Sequence, residues 1–312
     1  MGADLRDRSE RAMTIFALAD EVSGRAISSF CWNGPDDALR STDIAQPALV
    51  ATELALLVAL TERIATAHQD LPNELLEMGV QAVAGHSLGE YSACAAAGAL
   101  DIRDALSLAV LRGRLMANAA DGTMVAVLGM ELAAIEEAIQ NCPGTVVIAN
   151  DNAPGQVVLS GDVAAIDAAS ALLREQGAKR VLPLKVSGAF HSPLMSLAAD
   201  EFTVALNKVE ISEPQIPIVG NVSGLPLTTA AAVREELRAQ ITSTVRWRES
   251  LLYLESAGIR ELIEVGPGDV LAGLARRTVR EIPVLSVGTW SAIEEYSARF
   301  ATSGDVRMGN PA

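Results

Sequence analysis

The sequence predicts an α/β fold in which a large domain with a mainly parallel sheet carries a smaller inserted domain. Strand-like and helix-like segments alternate along most of the 312 residues, which is typical of a parallel sheet covered by helices on both faces. Over residues 123–186 the order changes to β-α-β-β-α-β, the split order of ferredoxin-like folds. We therefore expect a large domain of residues 1–122 and 190–312, and a ferredoxin-like small domain of residues 123–189.

Four elements are predicted before the small domain. They are a long amphipathic helix at 46–67 that Thr42 or Asp43 caps, a short buried strand at 80–87, a helix of small residues that follows it, and a helix that Asp101 caps and that ends near Gly122.

Strands and helices continue to alternate in the rest of the chain. In the small domain we predict the strands TMVAVLGM, TVVIAN, GQVVLSG and KRVLPLKV and the helices ELAAIEEAIQ and DVAAIDAASALLREQG. Beyond it we predict a helix around AAVREELRAQI, the strand IRELIEVGPG with its Gly-Pro-Gly turn, and the helix DVLAGLARRTV.

Composition and charge narrow the classes of function. Half of the residues are hydrophobic, only 4% are aromatic and the formal charge is -15, which argues against nucleic acid as the main ligand. The three cysteines show no CxxC spacing, so we expect neither a zinc site nor disulfides, and a reducing cytoplasmic setting. The start of the chain lacks the apolar core of a targeting peptide. The most apolar helix candidate, ALVATELALLVAL (48–60), falls short of the ~20 residues of a membrane span. We therefore expect a soluble protein that does not bind a membrane.

The strongest local signal is the sequence Gly-His-Ser-Leu-Gly at 85–89, between a predicted strand and a predicted helix. A serine on such a sharp turn has an exposed hydroxyl, and the start of the helix offers N–H groups to an oxyanion. The alternative is a turn whose glycines only let the helix pack closely on the strand. The strand before the motif and the helix after it favour Ser87 as a nucleophile.

A serine nucleophile needs a base, and the chain contains only three histidines. His68 lies at the polar end of a helix, where a surface histidine is expected. His86 adjoins Ser87, so its side chain should point away from the hydroxyl. His191 follows a strand in a loop, where catalytic side chains gather in sheet enzymes. This elimination favours His191 as the base, although a hydrogen-bonded loop histidine is the alternative.

Arg112 lies within an otherwise apolar helix segment, LAVLRGRLM. A guanidinium on an apolar face needs an anionic partner or a route to water. It could therefore form a structural salt bridge, or it could hold a substrate carboxylate through two hydrogen bonds. The residue pattern by itself leaves both possibilities open.

Taken together, these segments resemble the malonyl-CoA:acyl carrier protein transacylase family and the acyltransferase domains of polyketide synthases. The resembling pieces occur in the family's order and span nearly the whole chain. They are QPAL (46–49), GHSLGEYSA (85–93), LRGRLM (111–116), ANDNAPGQVVLSG (149–161), SGAFHSPLM (187–195), VRW (245–247) and EVGPGDVL (264–271).

The resemblance implies an α/β-hydrolase-like large domain and a transfer of malonyl from coenzyme A to acyl carrier protein. It implies that Ser87 is acylated and that His191 activates it, with main-chain carbonyls near Arg246 orienting the imidazole. It further implies that Arg112 holds the malonyl carboxylate, that Gln46 lines the same pocket and that the Leu88 N–H is an oxyanion donor. No cofactor and no metal is implied, and we expect a monomer.

Selectivity and partner binding also follow from the resemblance. The phenylalanine before His191 is what malonyl-selective members carry, so bulkier methylmalonyl is disfavoured. Since carrier proteins are acidic, docking on a chain of charge -15 would need a local basic patch. The candidates are Lys179, Arg180, Lys185, Arg276 and Arg277.

One departure from the family concerns the first strand. Family members open with a hydrophobic strand and a GQGSQ-type loop whose glutamine N–H is the second oxyanion donor, and the sequence from Met1 resembles the stretch after that loop. The missing strand leaves open a second function, a catalytically impaired scaffold that binds carrier protein. A third is a serine esterase or thioesterase, because these enzymes also use GHSLG.

Overall fold

The computed structural model describes residues 1–66, 70–119, 121–186 and 188–304. Within these ranges the chain forms two short 3₁₀ helices, Ala3–Leu5 and Pro193–Met195. The α-helices are α1 Glu10–Ser23, α2 Ile27–Asn33, α3 Asp36–Leu39, α4 Thr42–Ile64, α5 Leu71–Glu77, α6 Gly89–Ala96, α7 Ile102–Asn118, α8 Leu132–Ile139, α9 Val163–Glu175, α10 Ser196–Leu206, α11 Ala230–Gln240, α12 Trp247–Ser256, α13 Val270–Thr278 and α14 Trp290–Gly304. The strands are β1 Val83–Ala84, β2 Thr123–Leu128, β3 Val146–Ala153, β4 Gln156–Gly161, β5 Arg180–Pro183, β6 Ile218–Val219, β7 Pro226–Leu227, β8 Leu262–Val265 and β9 Val284–Val287.

The strands of the large part of the protein form two parallel pairs. Strand β1 runs parallel to β6, which also pairs with the antiparallel strand β7, and β8 runs parallel to β9. The carboxyl ends of β1 and β6 therefore lie side by side, and the loops that follow them meet at one edge of the sheet. This is where ligands bind in open α/β sheets.

A cavity of about 1170 Å³ separates the two parallel pairs. Strand β1 lines it on one side and β8 on the other, and leucines of α4 and of α12 close it. In the described ranges each of these two strands pairs with a single neighbour, β6 for β1 and β9 for β8. The parallel strands thus form two separate sheets with an apolar space between them.

Residues 123–183 form a separate four-stranded antiparallel sheet in the order β3-β4-β2-β5. The helices α8 and α9 cover one face of this sheet, and their apolar side chains form a core with alternate residues of the strands. That core includes Val125, Val127, Ile135, Leu159 and Ile166. The predicted β-α-β-β-α-β order of this segment is therefore the observed order.

Helix α4 is the central helix of the large part, and it differs from the prediction for 46–67. It starts at Thr42, and Ser41 rather than Thr42 or Asp43 is its N-cap residue. With 23 residues it is long and apolar enough to span a membrane, so the expectation that this segment is too short was wrong. In the fold, 78% of its apolar stretch is buried, as in the core helix of a soluble protein.

The strand predicted at 80–87 is shorter in the structure, whereas the predicted start of α7 is confirmed. The strand predicted over 80–87 is reduced to Val83–Ala84, because only these two residues pair with β6. Asp101 does cap α7, and its side chain accepts a hydrogen bond from the Arg103 N–H. A local cap was therefore predictable, whereas the length of a strand depends on its partner.

Candidate active site

Ser87 lies on the sharp turn between β1 and α6. Its φ angle is +50°, in the left-handed region that non-glycine residues seldom adopt. The turn is tight, because a Cβ atom on Gly85 would lie 2.0 Å from the carbonyl of Gly89. Glycine at 85 is thus required for the close approach, and the turn presents the Ser87 hydroxyl above the end of the strand.

His191 lies in the loop after β5, and its ring contacts the Ser87 hydroxyl. The distance from Ser87 Oγ to His191 Nε2 is 2.8 Å. On the other side of the ring, Nδ1 lies 2.9 Å from the main-chain oxygen of Gln240. A carbonyl can only accept a hydrogen bond, so Nδ1 carries the proton and Nε2 presents its lone pair to the hydroxyl.

The environment of His191 keeps its imidazole neutral. The side chain is 4% exposed. Burial, and next the positive charge of Arg112, lower the pKa of His191 from 6.5 to about 3. At neutral pH the ring is therefore free to accept a proton from Ser87.

Arg112 is buried within α7, with its guanidinium against the nucleophile. It donates hydrogen bonds from Nη1 to Gln46 Oε1 at 2.9 Å and from Nη2 to Ser87 Oγ at 3.0 Å. A third, to Gln240 Oε1, measures 3.2 Å. Nε has no partner, and no acidic side chain in the described ranges forms an ion pair with this arginine. The structure therefore excludes the salt-bridge explanation within those ranges, and a buried positive charge faces the site.

Close packing of α4 against α7 brings Gln46 to the guanidinium. A Cβ atom on Gly113 would lie 2.9 Å from the main-chain oxygen of Thr42. Glycine immediately after Arg112 therefore lets the two helices approach. Gln46 is 7% exposed, and its amide oxygen faces Arg112 while its nitrogen lies 3.4 Å from Met116 Sδ.

The structure thus brings Ser87, His191, Arg112 and Gln46 into one cluster. The Leu88 N–H lies next to the nucleophile at the start of α6, and it has no hydrogen-bond partner in the described ranges. His86 points away from the hydroxyl: its Nε2 lies 2.7 Å from Asn152 Oδ1. His68 lies outside the described residues.

Main-chain carbonyls orient His191, but the principal one was not predicted. We expected carbonyls near Arg246, whereas Nδ1 contacts the carbonyl of Gln240, the last residue of α11, with the main chain of Ser243 as a second contact of the ring. This oxygen also accepts from the Ser243 N–H at 3.2 Å, and the second lone pair of the carbonyl is available to the imidazole. The Val245–Trp247 segment instead pairs with β3, where Asp151 N donates to Val245 O at 2.9 Å.

Sequence analysis also missed Asn221 and Gln240. Asn221 Oδ1 accepts a hydrogen bond from the Ser87 N–H at 2.6 Å, and the side chain of Gln240 contacts both Ser87 and Arg112. A signal for Asn221 was present, because it follows the buried strand β6, whose end lies beside the end of β1. Gln240 had no such signal, since it is an ordinary polar residue at the end of a helix.

The arrangement suits a seryl acyl transfer on a substrate that carries a negative charge. The Ser87 hydroxyl lies within hydrogen-bond distance of both a neutral imidazole and a cation. No group of three or more His, Cys, Asp or Glu that could hold a metal is found among the described residues.

Comparisons with known proteins identify the family and the fold of the chain. Residues 1–302 match the acyl transferase domain family. The chain is 37% identical over 302 residues to the malonyl CoA-acyl carrier protein transacylase of Bacillus subtilis, covering 94% of this chain and 90% of that protein. It superposes on an acyl-carrier-protein-S-malonyltransferase from Bartonella henselae with a TM-score of 0.89 and 36% identity, covering 96% and 95% of the two chains.

A second solved structure is a malonyl-transacylase in complex with its type II PKS acyl-carrier protein. Here the TM-score is 0.87 and the identity 34%, covering 95% of this chain and 94% of the other. The match to the family spans nearly the whole chain, and the α/β fold is that of solved malonyltransferases. The chain therefore belongs to the acyl transferase family.

Proposed function

We propose that this protein transfers a malonyl group from malonyl-CoA to the phosphopantetheine thiol of acyl carrier protein through a seryl acyl-enzyme. The observation that carries the proposal is the buried guanidinium of Arg112, 3.0 Å from Ser87 Oγ and without an acidic partner in the described ranges. A substrate carboxylate bound to this guanidinium would lie beside the nucleophile. The relatives at 36–38% identity carry the same activity in their names.

In the first half-reaction, Ser87 Oγ attacks the thioester carbonyl as its proton passes to His191 Nε2. The imidazolium that forms lies at the C-terminal end of α11, whose partial negative charge stabilises it. When the tetrahedral intermediate collapses, the carbon–sulfur bond breaks and the proton leaves with the coenzyme A thiol. The products are malonyl-Ser87 and free coenzyme A, and no cofactor is consumed.

In the second half-reaction, the phosphopantetheine thiol of carrier protein gives its proton to His191 and attacks malonyl-Ser87. The serine oxygen leaves with that proton, which restores the free enzyme. In both steps we assign the Leu88 N–H as a donor to the oxyanion, since it is free and adjoins the nucleophile. The carrier-protein complex of a structural relative supports this partner.

Selectivity for malonyl follows from the charge of Arg112. Burial lowers the pKa of Arg112, so the site bears the cost of holding a cation out of water. A malonyl carboxylate offsets that cost, whereas an acetyl group leaves the guanidinium as it is in the free enzyme. Phe190 lies next to His191 and packs against the core, which agrees with a pocket that disfavours methylmalonyl.

We also propose the finer description of the fold. Residues 123–189 would form a ferredoxin-like domain inserted into an α/β-hydrolase-like large domain of residues 1–122 and 190–312. Support comes from the strand order β3-β4-β2-β5 and the two helices on one face of that sheet. A monomer in the cytoplasm remains our proposal for its state and location.

The proposed function is tested by intact-protein mass spectrometry after mixing with malonyl-CoA. We expect one malonyl adduct, no adduct on Ser87→Ala, and loss of the adduct when carrier protein bearing phosphopantetheine is added. Carrier protein without phosphopantetheine is the matched control and should leave the adduct in place. An adduct that water removes as fast as the carrier protein does would indicate a thioesterase, and no adduct at all would indicate a scaffold.

A further inference from the structure

Two glutamates, Glu90 of α6 and Glu236 of α11, lie buried directly behind the catalytic cluster. Glu90 is 0% exposed and Glu236 is 6% exposed. Glu90 Oε1 accepts a hydrogen bond from the Asn221 N–H and Glu236 Oε1 accepts one from the next main-chain N–H, that of Val222. The two carboxyl groups are thereby close enough for Glu90 to donate a hydrogen bond to Glu236. We propose that this pair shares one proton and acts as a positioning device, which holds Gln240 and Asn221 and through them Ser87, His191 and Arg112. The inference deepens the proposed function and rests on it.

Glu90 contacts both of the residues that it would position. Its Oε1 accepts hydrogen bonds from the Asn221 N–H at 2.8 Å and from Asn221 Nδ2 at 2.9 Å. Its Oε2 accepts from Gln240 Nε2. The Glu90 carboxyl is thus an acceptor at both oxygens, and it fixes which end of each amide faces the nucleophile.

Gln240 contacts three parts of the site. Its Nε2 also donates to the main-chain oxygen of Ser87 at 2.8 Å, and its Oε1 accepts from Arg112. Its main-chain oxygen accepts from His191 Nδ1. If the amide were flipped, Nε2 would face the guanidinium, and two donors would oppose each other. The contact with Glu90 therefore selects the amide orientation that Arg112 and the main-chain oxygen of Ser87 need.

Asn221 completes the link to the nucleophile. Its Oδ1 accepts from the Ser87 N–H, while its Nδ2 donates to Gly85 O at 2.7 Å as well as to Glu90. This amide therefore spans the turn on which Ser87 adopts its positive φ angle. Backbone strain of this kind persists only where the surrounding contacts hold it.

The shared proton follows from the charges that face Glu90. Two ionised carboxylates cannot hydrogen bond to each other, so one of the pair must be protonated. A protonated Glu90 carboxyl can donate to Glu236 while the lone pairs of its oxygens still accept from Asn221 and Gln240. The charged and titratable groups that act on Glu90, or that its charge acts on, are Glu236, Arg112, Tyr91 and Cys94.

Burial and the charge of Glu236 both raise the pKa of Glu90 above its usual range, and burial raises that of Glu236. The unfolded chain releases these protons near pH 4.5, whereas the folded chain keeps one of them to higher pH. The free energy of unfolding therefore falls as pH rises above 4.5, until the folded pair also ionises. Above that pH the two carboxylates repel each other and the positioning contacts loosen.

Two conservative variants separate this role from simple packing. In Glu90→Gln the amide nitrogen cannot accept from Gln240, so we expect acylation to slow by about tenfold, the rate equivalent of one lost buried hydrogen bond. In Glu236→Gln the amide donates to an ionised Glu90, and no shared proton is needed. This variant should acylate faster than Glu90→Gln. Its acylation rate should also not fall at alkaline pH, where the wild-type rate falls because both carboxyl groups of the pair become ionised. Glu235→Gln, on the exposed face of α11, is the matched control.

Infrared difference spectroscopy tests the proton without substrate. Burial raises the pKa of Glu53 to about 7, so the test is made in Glu53→Gln to remove its contribution. In that background, protein labelled with ¹³C-glutamate should show the carbonyl band of a protonated carboxylic acid at neutral pH, and adding Glu236→Gln should remove the band. The inference would be overturned if the band were absent in Glu53→Gln. It would also be overturned if Glu90→Gln and Glu236→Gln acylated at equal rates with the same decline at alkaline pH. If Glu90→Gln fails to fold, the infrared band and the pH dependence of acylation by Glu236→Gln still test the shared proton. A failure of the proposed function appears separately, as no acyl adduct on the wild type.

Discussion

Replacing Arg112 with Ala removes the guanidinium that contacts Ser87, Gln46 and Gln240 at 3.0, 2.9 and 3.2 Å. A hydrogen bond to a charged group contributes about 1.5–3 kcal/mol. At about 1.4 kcal/mol per factor of ten, kcat/KM for malonyl-CoA should fall by about 10- to 150-fold. The value for acetyl-CoA should change much less, because acetyl has no carboxylate to bind and the variant no longer buries an unpaired cation. The preference for malonyl should therefore narrow or reverse.

The assay is the rate of acyl-Ser87 formation with each thioester, followed by intact-protein mass spectrometry. Arg114→Ala is the matched control, since Arg114 lies on the exposed face of the same helix. It should leave the malonyl-to-acetyl ratio unchanged. Equal losses with both thioesters in Arg112→Ala would refute the assignment, because they would show that the guanidinium only supports the fold of the site.

Four further outcomes are expected. Ser87→Ala should keep the circular dichroism spectrum of the wild type and gain no covalent malonyl, and labelling at a comparable rate would exclude Ser87 as the nucleophile. His191→Ala should slow acylation by ~10²–10⁴, and an undiminished rate would exclude His191 as the base. Burial and Arg112 lower the pKa of His191 to about 3, so kcat/KM for malonyl-CoA should stay level as pH falls below 6.5, and a rate that halves near pH 6.5 would contradict this. Over the same range the free energy of unfolding should decrease, because His191 binds a proton in the unfolded chain but not in the folded one. The exposed basic side chains of the predicted docking patch are Lys179, Arg180, Arg276 and Arg277. Reversing their charge should raise KM for carrier protein with little effect on acylation by malonyl-CoA, and equal damage to both half-reactions would contradict a docking role.

Local patterns in the sequence were sufficient for several elements. The Gly-His-Ser-Leu-Gly turn at 85–89 needs glycine at 85 for an approach that any larger side chain would block, so strand, turn and helix are encoded by adjacent residues. Asp101 caps α7 through a bond to a residue two positions away. The alternation of short strands and helices over residues 123–183 also specified the order of the small sheet's elements, because each is a short segment with its own periodicity.

Contacts between distant segments were decided only by the tertiary structure. The role of Arg112 was ambiguous in the sequence. In the fold, α7 packs against α4, which brings Gln46 to the guanidinium but no acidic side chain of the described ranges. The carbonyl that orients His191 belongs to Gln240 because α11 ends beside the ring, which no pattern around Gln240 encodes. The sequence by itself therefore determined which residue types could perform the chemistry and where the chain turns. The fold decided which of them meet, since distance, burial and the direction of each hydrogen bond depend on how separate elements pack.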